Sequence, residues 1–212
     1  MQTALVSISA YLLGSVSFAI VVSRLFALPD PRSYGSKNPG ATNVLRTGKR
    51  AAAVLTLLGD GGKGWLAVFL AQLWTGQSAL GGLDVPLAGV AVFLGHLFPV
   101  FHRFRGGKGV ATAAGVLFGF DAWLGLGTLV TWVAMFAFFR LSSLAALVAL
   151  AFALYYTFWL FGLRPVFPAV VAIAVLMLWR HKDNIRRLLA GEESRVGAKA
   201  SAPPQDPSAG AP

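Results

Sequence analysis

The sequence has no cysteine and little charge: only 12% of its 212 residues are Asp, Glu, Lys or Arg. Without cysteine there is no disulfide framework, no thiolate nucleophile and no Cys-based metal site. A soluble domain carries about a quarter charged residues. This chain is 56% hydrophobic and has too few polar side chains to coat a water-facing surface. Carboxylates are scarce, and Asp30, Asp60, Asp84 and Asp121 are dispersed along the chain. No cluster is therefore expected to chelate a divalent metal, and no cofactor is expected. Gly-x-Ser-x-Gly and His-Glu-x-x-His are both missing.

Two routes to lipid chemistry are also closed. No histidine is followed five residues later by aspartate, the pairing used by the common lipid acyltransferases. His96 leads to Phe101, His102 to Gly107 and His181 to Arg186. A CDP-alcohol transferase needs several aspartates on neighbouring helices, and this chain lacks them.

What the chain does have is long apolar runs punctuated by charge. They cover residues 4–22, 51–74, 83–101, 144–161 and 165–179, with a further stretch at 110–139 whose only charge is Asp121. Several approach the roughly 20 residues that cross a bilayer core. The first run lacks a basic leader and a small-residue cleavage site, so it reads as a retained span.

Basic residues set the direction. Loop 1 carries Arg24, Arg32, Lys37, Arg46, Lys49 and Arg50; the loop after the third span carries Arg103, Arg105 and Lys108; the C-terminal end carries Arg180, Lys182, Arg186 and Arg187. The loop at residues 75–82 has none. By the positive-inside rule the N-terminus is outside and the basic regions are cytoplasmic. Parity then requires the 110–139 stretch to begin and end inside, as a short helix, a turn near Asp121 and a second helix, or as a re-entrant hairpin. The expectation is an all-α integral membrane protein of about seven transmembrane helices, N-out and C-in. Only Arg164 of the 18 Lys and Arg then lies outside. The net charge of +10 accordingly faces anionic lipid or a phosphorylated substrate, not nucleic acid. Residues 1–190 form one domain, and the Ala/Pro/Ser-rich residues 191–212 read as a disordered cytoplasmic tail.

The loops carry the chemistry. Loop 1 reads Gly35-Ser36-Lys37-Asn38-Pro39-Gly40-Ala41-Thr42-Asn43, followed by Arg46. Pro39-Gly40 favours a tight turn. Ser36, Asn38, Thr42 and Asn43 can bond phosphate or hydroxyl oxygens; the plainer reading is a polar loop with Arg46 as a topology anchor. Loop 3 runs Arg103-Phe104-Arg105-Gly106-Gly107-Lys108-Gly109-Val110-Ala111-Thr112. A glycine-rich turn with one lysine that opens into a helix favours an anion. It lacks P-loop spacing, and a basic interfacial turn is the alternative. Asp60 and Lys63 stand at i,i+3 within a span, as a functional pair or a structural one. His96 is a ligand or a packing histidine. His181 and Asn184 share a helix face after the last span, as site residues or solvated anchors. Ser142-Ser143 opens a helix and can serve as its cap.

In order and placement these motifs resemble the bacterial acyl-phosphate:glycerol-3-phosphate acyltransferases, the PlsY family. The likeness runs to about Leu189. It rests on 35–43 with Arg46, Asp60-x-x-Lys63-Gly64, Gly95-His96-x-x-Pro99, residues 106–112, and His181-x-x-Asn184-Ile185-x-Arg187-Leu188. The family's topology, seven helices with the N-terminus outside, agrees with the orientation above. The resemblance implies acyl transfer from a long-chain acyl phosphate to the sn-1 hydroxyl of glycerol 3-phosphate, with lysophosphatidic acid and phosphate as products and no covalent enzyme intermediate. By the same resemblance Ser36, Arg46 and Lys108 hold the substrate phosphate, and Ser143, His181 and Asn184 face the glycerol. Gly40, Thr42 and Asn43, with Gly106, Gly107, Gly109 and Thr112, cradle the acyl phosphate, while Asn38, Asp60, Lys63 and His96 join the substrate-binding set. His181 and a substrate phosphate oxygen are rival proton acceptors. Gly61-Gly62 depart from the family, which has larger apolar residues there. The protein is expected in the bacterial inner membrane as a monomer, its site facing the cytoplasm, supplied by the enzyme that makes acyl phosphate. A transporter or channel for a small phosphorylated solute is the rival reading; a non-catalytic binder of anionic lipid is a third.

Overall fold

A computed structural model describes residues 1–196, and all regular structure among them is helical. Helices α1 (Gln2–Gly14) and α2 (Phe18–Leu25) form one apolar run of 24 residues, interrupted at 15–17. A short helix, α3 (Ala41–Leu45), lies in loop 1. Then come α4 (Arg50–Thr75), α5 (Asp84–Leu97) with a 3-10 turn at Val100–His102, α6 (Val110–Phe120), α7 (Ala122–Phe139), α8 (Ser142–Phe161), α9 (Val166–Arg180) and α10 (Lys182–Leu189). Among the described residues, five helical segments are long and apolar enough to cross a membrane: α1–α2, α4, α5 with its 3-10 turn, α7 and α8. Helices α6 and α9 are shorter and apolar.

The interruption in the first span explains the charged pair in α4. Lys63 Nζ donates to the Val16 carbonyl at 2.6 Å, and Asp60 Oδ1 accepts from the Phe18 amide at 3.4 Å. The two side chains also pair with each other at 2.9 Å. An unpaired backbone group in apolar surroundings is costly. Asp60 and Lys63 supply partners where the helix of the first span has none.

Small residues set the closest helix contacts. A Cβ on Gly64 would strike the Thr112 carbonyl, and one on Gly115 the Gly61 carbonyl, so α4 and α6 meet backbone to backbone. Gly14 and Gly95 likewise bring α1 against α5, where Gly14 faces Val92 and Gly95 faces the Tyr11 carbonyl. Gly61 lies at the α4–α6 contact, whereas Gly62 has open space beside it.

The turn expected near Asp121 is there. The Asp121 carboxylate caps α7, accepting from the amides of Trp123 at 2.8 Å and Leu124 at 2.9 Å. Helices α6 and α7 therefore run out from the loop-3 end of the bundle and back towards it.

Residues 191–196, the start of the expected tail, carry no helix and bond back to the bundle. Val196 donates its amide to the Arg140 carbonyl at 2.9 Å, and Glu193 and Ser194 bond to groups near the loops. The rest of that expected tail, 197–212, lies outside the described residues.

Candidate functional site

Loop 1 is folded around a single side chain. Asn43, in α3, is buried; its Oδ1 accepts from the Ser36 amide at 3.1 Å, and its Nδ2 donates to the carbonyls of Pro31 at 2.7 Å and Tyr34 at 3.2 Å. The amide is thus fully committed to holding the loop. Thr42 Oγ1 lies 3.3 Å from Ser142 Oγ, and Arg46 donates to Ser194 Oγ at 3.0 Å. These contacts tie loop 1 to the start of α8 and to the segment after α10.

Loop 3 is pressed onto the end of α5. The Gly107 amide donates to the His96 carbonyl at 3.2 Å. A Cβ on Gly106 would strike the His96 and Leu97 carbonyls, and one on Gly107 the His96 ring. Only glycine fits this close an approach. Gly109 adopts φ 84°, a left-handed conformation suited to glycine, and caps the start of α6. Beneath the loop, His96 Nδ1 lies 3.1 Å from Thr112 Oγ1 and 3.6 Å from the Asp60 carboxylate.

Between the loops is a cavity of about 200 Å³, lined by Ser36, Asn38, Gly106, Lys108, Arg180 and Lys182 among others. Lys108 reaches from loop 3 to α10 and donates to Asn184 Oδ1. Burial, together with the nearby Arg187 and Arg180, pushes Lys108 down to about 8 despite the Glu193 carboxylate. Asn184 Nδ2 donates to Glu193 Oε1 at 2.5 Å, Ser143 Oγ donates to the same oxygen at 2.6 Å, and Arg187 Nε donates to Oε2 at 2.7 Å. Burial raises Glu193, but these hydrogen bonds outweigh it and hold the carboxyl below the usual range.

His181 sits at the α9–α10 junction, 2% exposed. Its Nδ1 lies 2.8 Å from the Met177 carbonyl. A carbonyl only accepts, so Nδ1 carries the proton and Nε2 keeps its lone pair. Burial pushes the imidazole down to about 4, so it is neutral near pH 7. Among the described residues no group of three or more His, Asp or Glu is placed to hold a metal ion.

Residues 4–191 match the family model described as glycerol-3-phosphate acyltransferase. The chain is 60% identical over 202 residues to a glycerol-3-phosphate acyltransferase of Burkholderia pseudomallei (strain 1710b), an alignment covering 94% of this chain and 98% of that one. It is 58% identical over 197 residues to the protein so named in Ralstonia nicotianae (strain ATCC BAA-1114 / GMI1000), covering 93% and 95%. The chain belongs to the glycerol-3-phosphate acyltransferase family. Its fold matches the crystal structure of PlsY (YgiH), an integral membrane glycerol 3-phosphate acyltransferase, in its glycerol 3-phosphate form. There the TM-score is 0.86 at 36% identity, covering 93% of this chain and 96% of that one. The lysophosphatidic acid form of that enzyme matches with a TM-score of 0.84 at 35% identity, covering 92% and 95%. As a member of this family the chain is an acyltransferase and an integral membrane protein.

In this acyltransferase the residues singled out from sequence do not all meet at one place. Ser36, Asn38, Arg46, Gly106, Lys108, Ser143 and Asn184 gather at one end of the bundle, around the cavity and the Glu193 cluster, and His181 is buried at the α9–α10 junction next to them, bonded to Met177. Gly40, Thr42, Gly107 and Gly109 shape the loops beside them. Asp60, Lys63, His96 and Thr112 do not line the cavity; they form a buried chain below loop 3, and Asn43 sits inside loop 1. Of the adjacent serines, Ser143 is buried and joins the Glu193 cluster, while Ser142 meets Thr42. Sequence reasoning passed over Glu193 and gave Arg180 only a topological role. One available signal was the acidic pair Glu192-Glu193 just beyond a basic helix.

Proposed function

We propose that this chain transfers a long-chain acyl group from acyl phosphate to the sn-1 hydroxyl of glycerol 3-phosphate, releasing lysophosphatidic acid and phosphate. The observation that carries this reading is the linkage of Lys108, Asn184, Glu193 and Ser143 beside a cavity that Ser36, Lys108 and Arg180 line. Each substrate carries a phosphate, and the two repel one another. Cations and backbone donors offset that repulsion and align the hydroxyl with the acyl carbon.

The groups present suit this division of labour. Lys108, Arg46 and Ser36 hold the phosphate of glycerol 3-phosphate. Ser143 donates its proton to Glu193, so its oxygen is left to accept from a glycerol hydroxyl. His181 offers the Nε2 lone pair to the attacking hydroxyl, but an imidazole held at about 4 is a weak base at neutral pH. In this reading the proton goes to an oxygen of the departing phosphate. The glycerol oxygen forms a bond to the acyl carbon, the bond from that carbon to the phosphate oxygen breaks, and its electron pair leaves with phosphate. An acyl phosphate is already activated, so no acyl-enzyme is required.

The reading extends to placement. Seven crossings, N-terminus outside, put the motif loops in the cytoplasm of the bacterial inner membrane. The gathering of loop 1, loop 3 and α10 at one end supports this, as does the out-and-back path of α6 and α7. The protein acts as a monomer and takes acyl phosphate from the enzyme that makes it. A solute transporter needs its binding motifs along a path to both faces; here the motif loops and α10 collect at one end.

The test compares donors. Purified protein in detergent receives glycerol 3-phosphate with palmitoyl phosphate or palmitoyl-CoA, and the acylated position is read by mass spectrometry. Product from palmitoyl phosphate alone, acylated at sn-1, is expected. Equal use of the thioester, or acylation at sn-2, contradicts the proposal.

A further inference from the structure

Loop 3 is held from two sides, by the end of α5 and by Arg180. Arg180 is the last residue of α9, and a cation there suits the negative end of the helix. Its Nε donates to the Gly107 carbonyl at 3.0 Å and its second terminal nitrogen to the Gly106 carbonyl at 2.8 Å. A guanidinium is a rigid fork, and here two of its donors meet two successive carbonyls. From the opposite side the His96 carbonyl accepts the Gly107 amide. Trp179, next to Arg180, packs on Phe98 with ring centroids 5.9 Å apart. The residue after the clamped pair is Lys108, and the residue after Arg180 is His181.

We propose that Arg180 is a positioning residue: it fixes the Gly106–Gly107 backbone so that Lys108 is presented to substrate phosphate in register with His181. Two consequences follow from the geometry. Carbonyl oxygens that border an anion site repel a phosphate, and Arg180 neutralises two of them. Arg180 also joins the loop that carries Lys108 to the helix end that carries His181, so the two substrate-facing groups keep one separation. Acyl transfer loses rate steeply when reacting groups are misplaced by about an ångström. The inference rests on the reading of Lys108 as a phosphate anchor. It differs from a direct contact between Arg180 and substrate phosphate, which acts mainly on KM and leaves exchange in residues 105–112 unchanged.

The test separates these. Arg180→Lys keeps the charge and loses the two-carbonyl fork; Arg180→Gln loses the charge and keeps one donor pair. Each is measured alone and combined with Lys108→Ala, with steady-state kinetics in both substrates and a thermal melt in detergent as the folding control. Positioning predicts that Arg180→Lys loses about tenfold or more in kcat, with smaller changes in either KM. It also predicts that most of this loss disappears when Lys108 is already alanine. Near-normal kcat in Arg180→Lys, or a loss that multiplies undiminished onto Lys108→Ala, overturns the proposal. Near-normal turnover in Lys108→Ala alone refutes instead the phosphate-anchor reading. Hydrogen exchange adds a readout free of substrate: amides in residues 105–112 should exchange faster in both Arg180 variants while those of α8 do not. Unchanged exchange in that segment also overturns it.

Discussion

Lys108 donates to Asn184 Oδ1 across the gap between loop 3 and α10, and Asn184 hands its own amide hydrogen to Glu193 at 2.5 Å. A cation from one loop and a carboxylate from the segment after α10 are thus coupled through one buried amide. The orientation of Asn184 is dictated: its oxygen must face the lysine and its nitrogen the glutamate.

Lys108 should therefore be sensitive in both charge and position. Lys108→Ala is expected to lose about ten- to hundredfold in kcat/KM while still inserting and folding. Burial holds this ammonium at about 8, so the free enzyme loses the charge as pH rises through that value. The kcat/KM profile should fall on its alkaline side near pH 8, and Lys108→Arg should remove that limb because guanidinium stays charged. An alkaline limb that persists unchanged in Lys108→Arg assigns it to another group.

On the proposed mechanism His181 positions the acceptor and the substrate's phosphate takes the proton. His181→Gln keeps a hydrogen-bonding group without a nitrogen that titrates near neutrality. It should retain measurable turnover, need more glycerol 3-phosphate, and keep the shape of the pH–rate profile. A general-base histidine predicts a fall of about 10²–10⁴ and loss of the acidic limb. Asn184→Ala serves as the companion, since Asn184 cannot act as a base; both variants should fail mainly in KM for glycerol 3-phosphate. Loss of turnover in His181→Gln with normal substrate binding makes His181 the base.

Glu193 orients Ser143, Asn184 and Arg187 at once. Glu193→Ala leaves three donors without their acceptor, at about 1–3 kcal/mol for each that stays buried. A lower melting temperature and a raised KM for glycerol 3-phosphate are expected. Glu193→Gln keeps an acceptor for Ser143 and Asn184 and should lie between alanine and the native protein on both measures. Identical behaviour of the Gln and Ala variants removes the orienting role.

Much of this architecture was legible because charge and glycine interrupt apolar runs so cleanly. The ends of α4, the turn at Asp121 and the glycine turn before Lys108 all stand where those residues placed them. Three features were not legible. The first span carries no charge over residues 4–22, and the break at its Gly14-Ser15-Val16-Ser17 stretch is explained only when Lys63 and Asp60 are seen to bond Val16 and Phe18 across the bundle. Glu193 lies in a stretch whose composition signals disorder; three side-chain bonds to other elements hold it in place. Arg180 looks like any basic residue at the end of a span until its two loop carbonyls are located.

Topology has its own test, and the absence of native cysteine makes it clean. Single-cysteine variants at Arg46, Lys108 and Arg187 should resist impermeant thiol reagents in intact cells, whereas one at Gly82 should react. Labelling of Lys108→Cys from outside reverses the orientation.

The central claim is acyl transfer that uses the donor's own phosphate as leaving group and proton acceptor. Purified protein is given palmitoyl phosphate with and without glycerol 3-phosphate, and phosphate release and lysophosphatidic acid are followed together. The account predicts release only when glycerol 3-phosphate is present, one phosphate for each lysophosphatidic acid formed. Release without acceptor above the uncatalysed background, or none with it, contradicts the account.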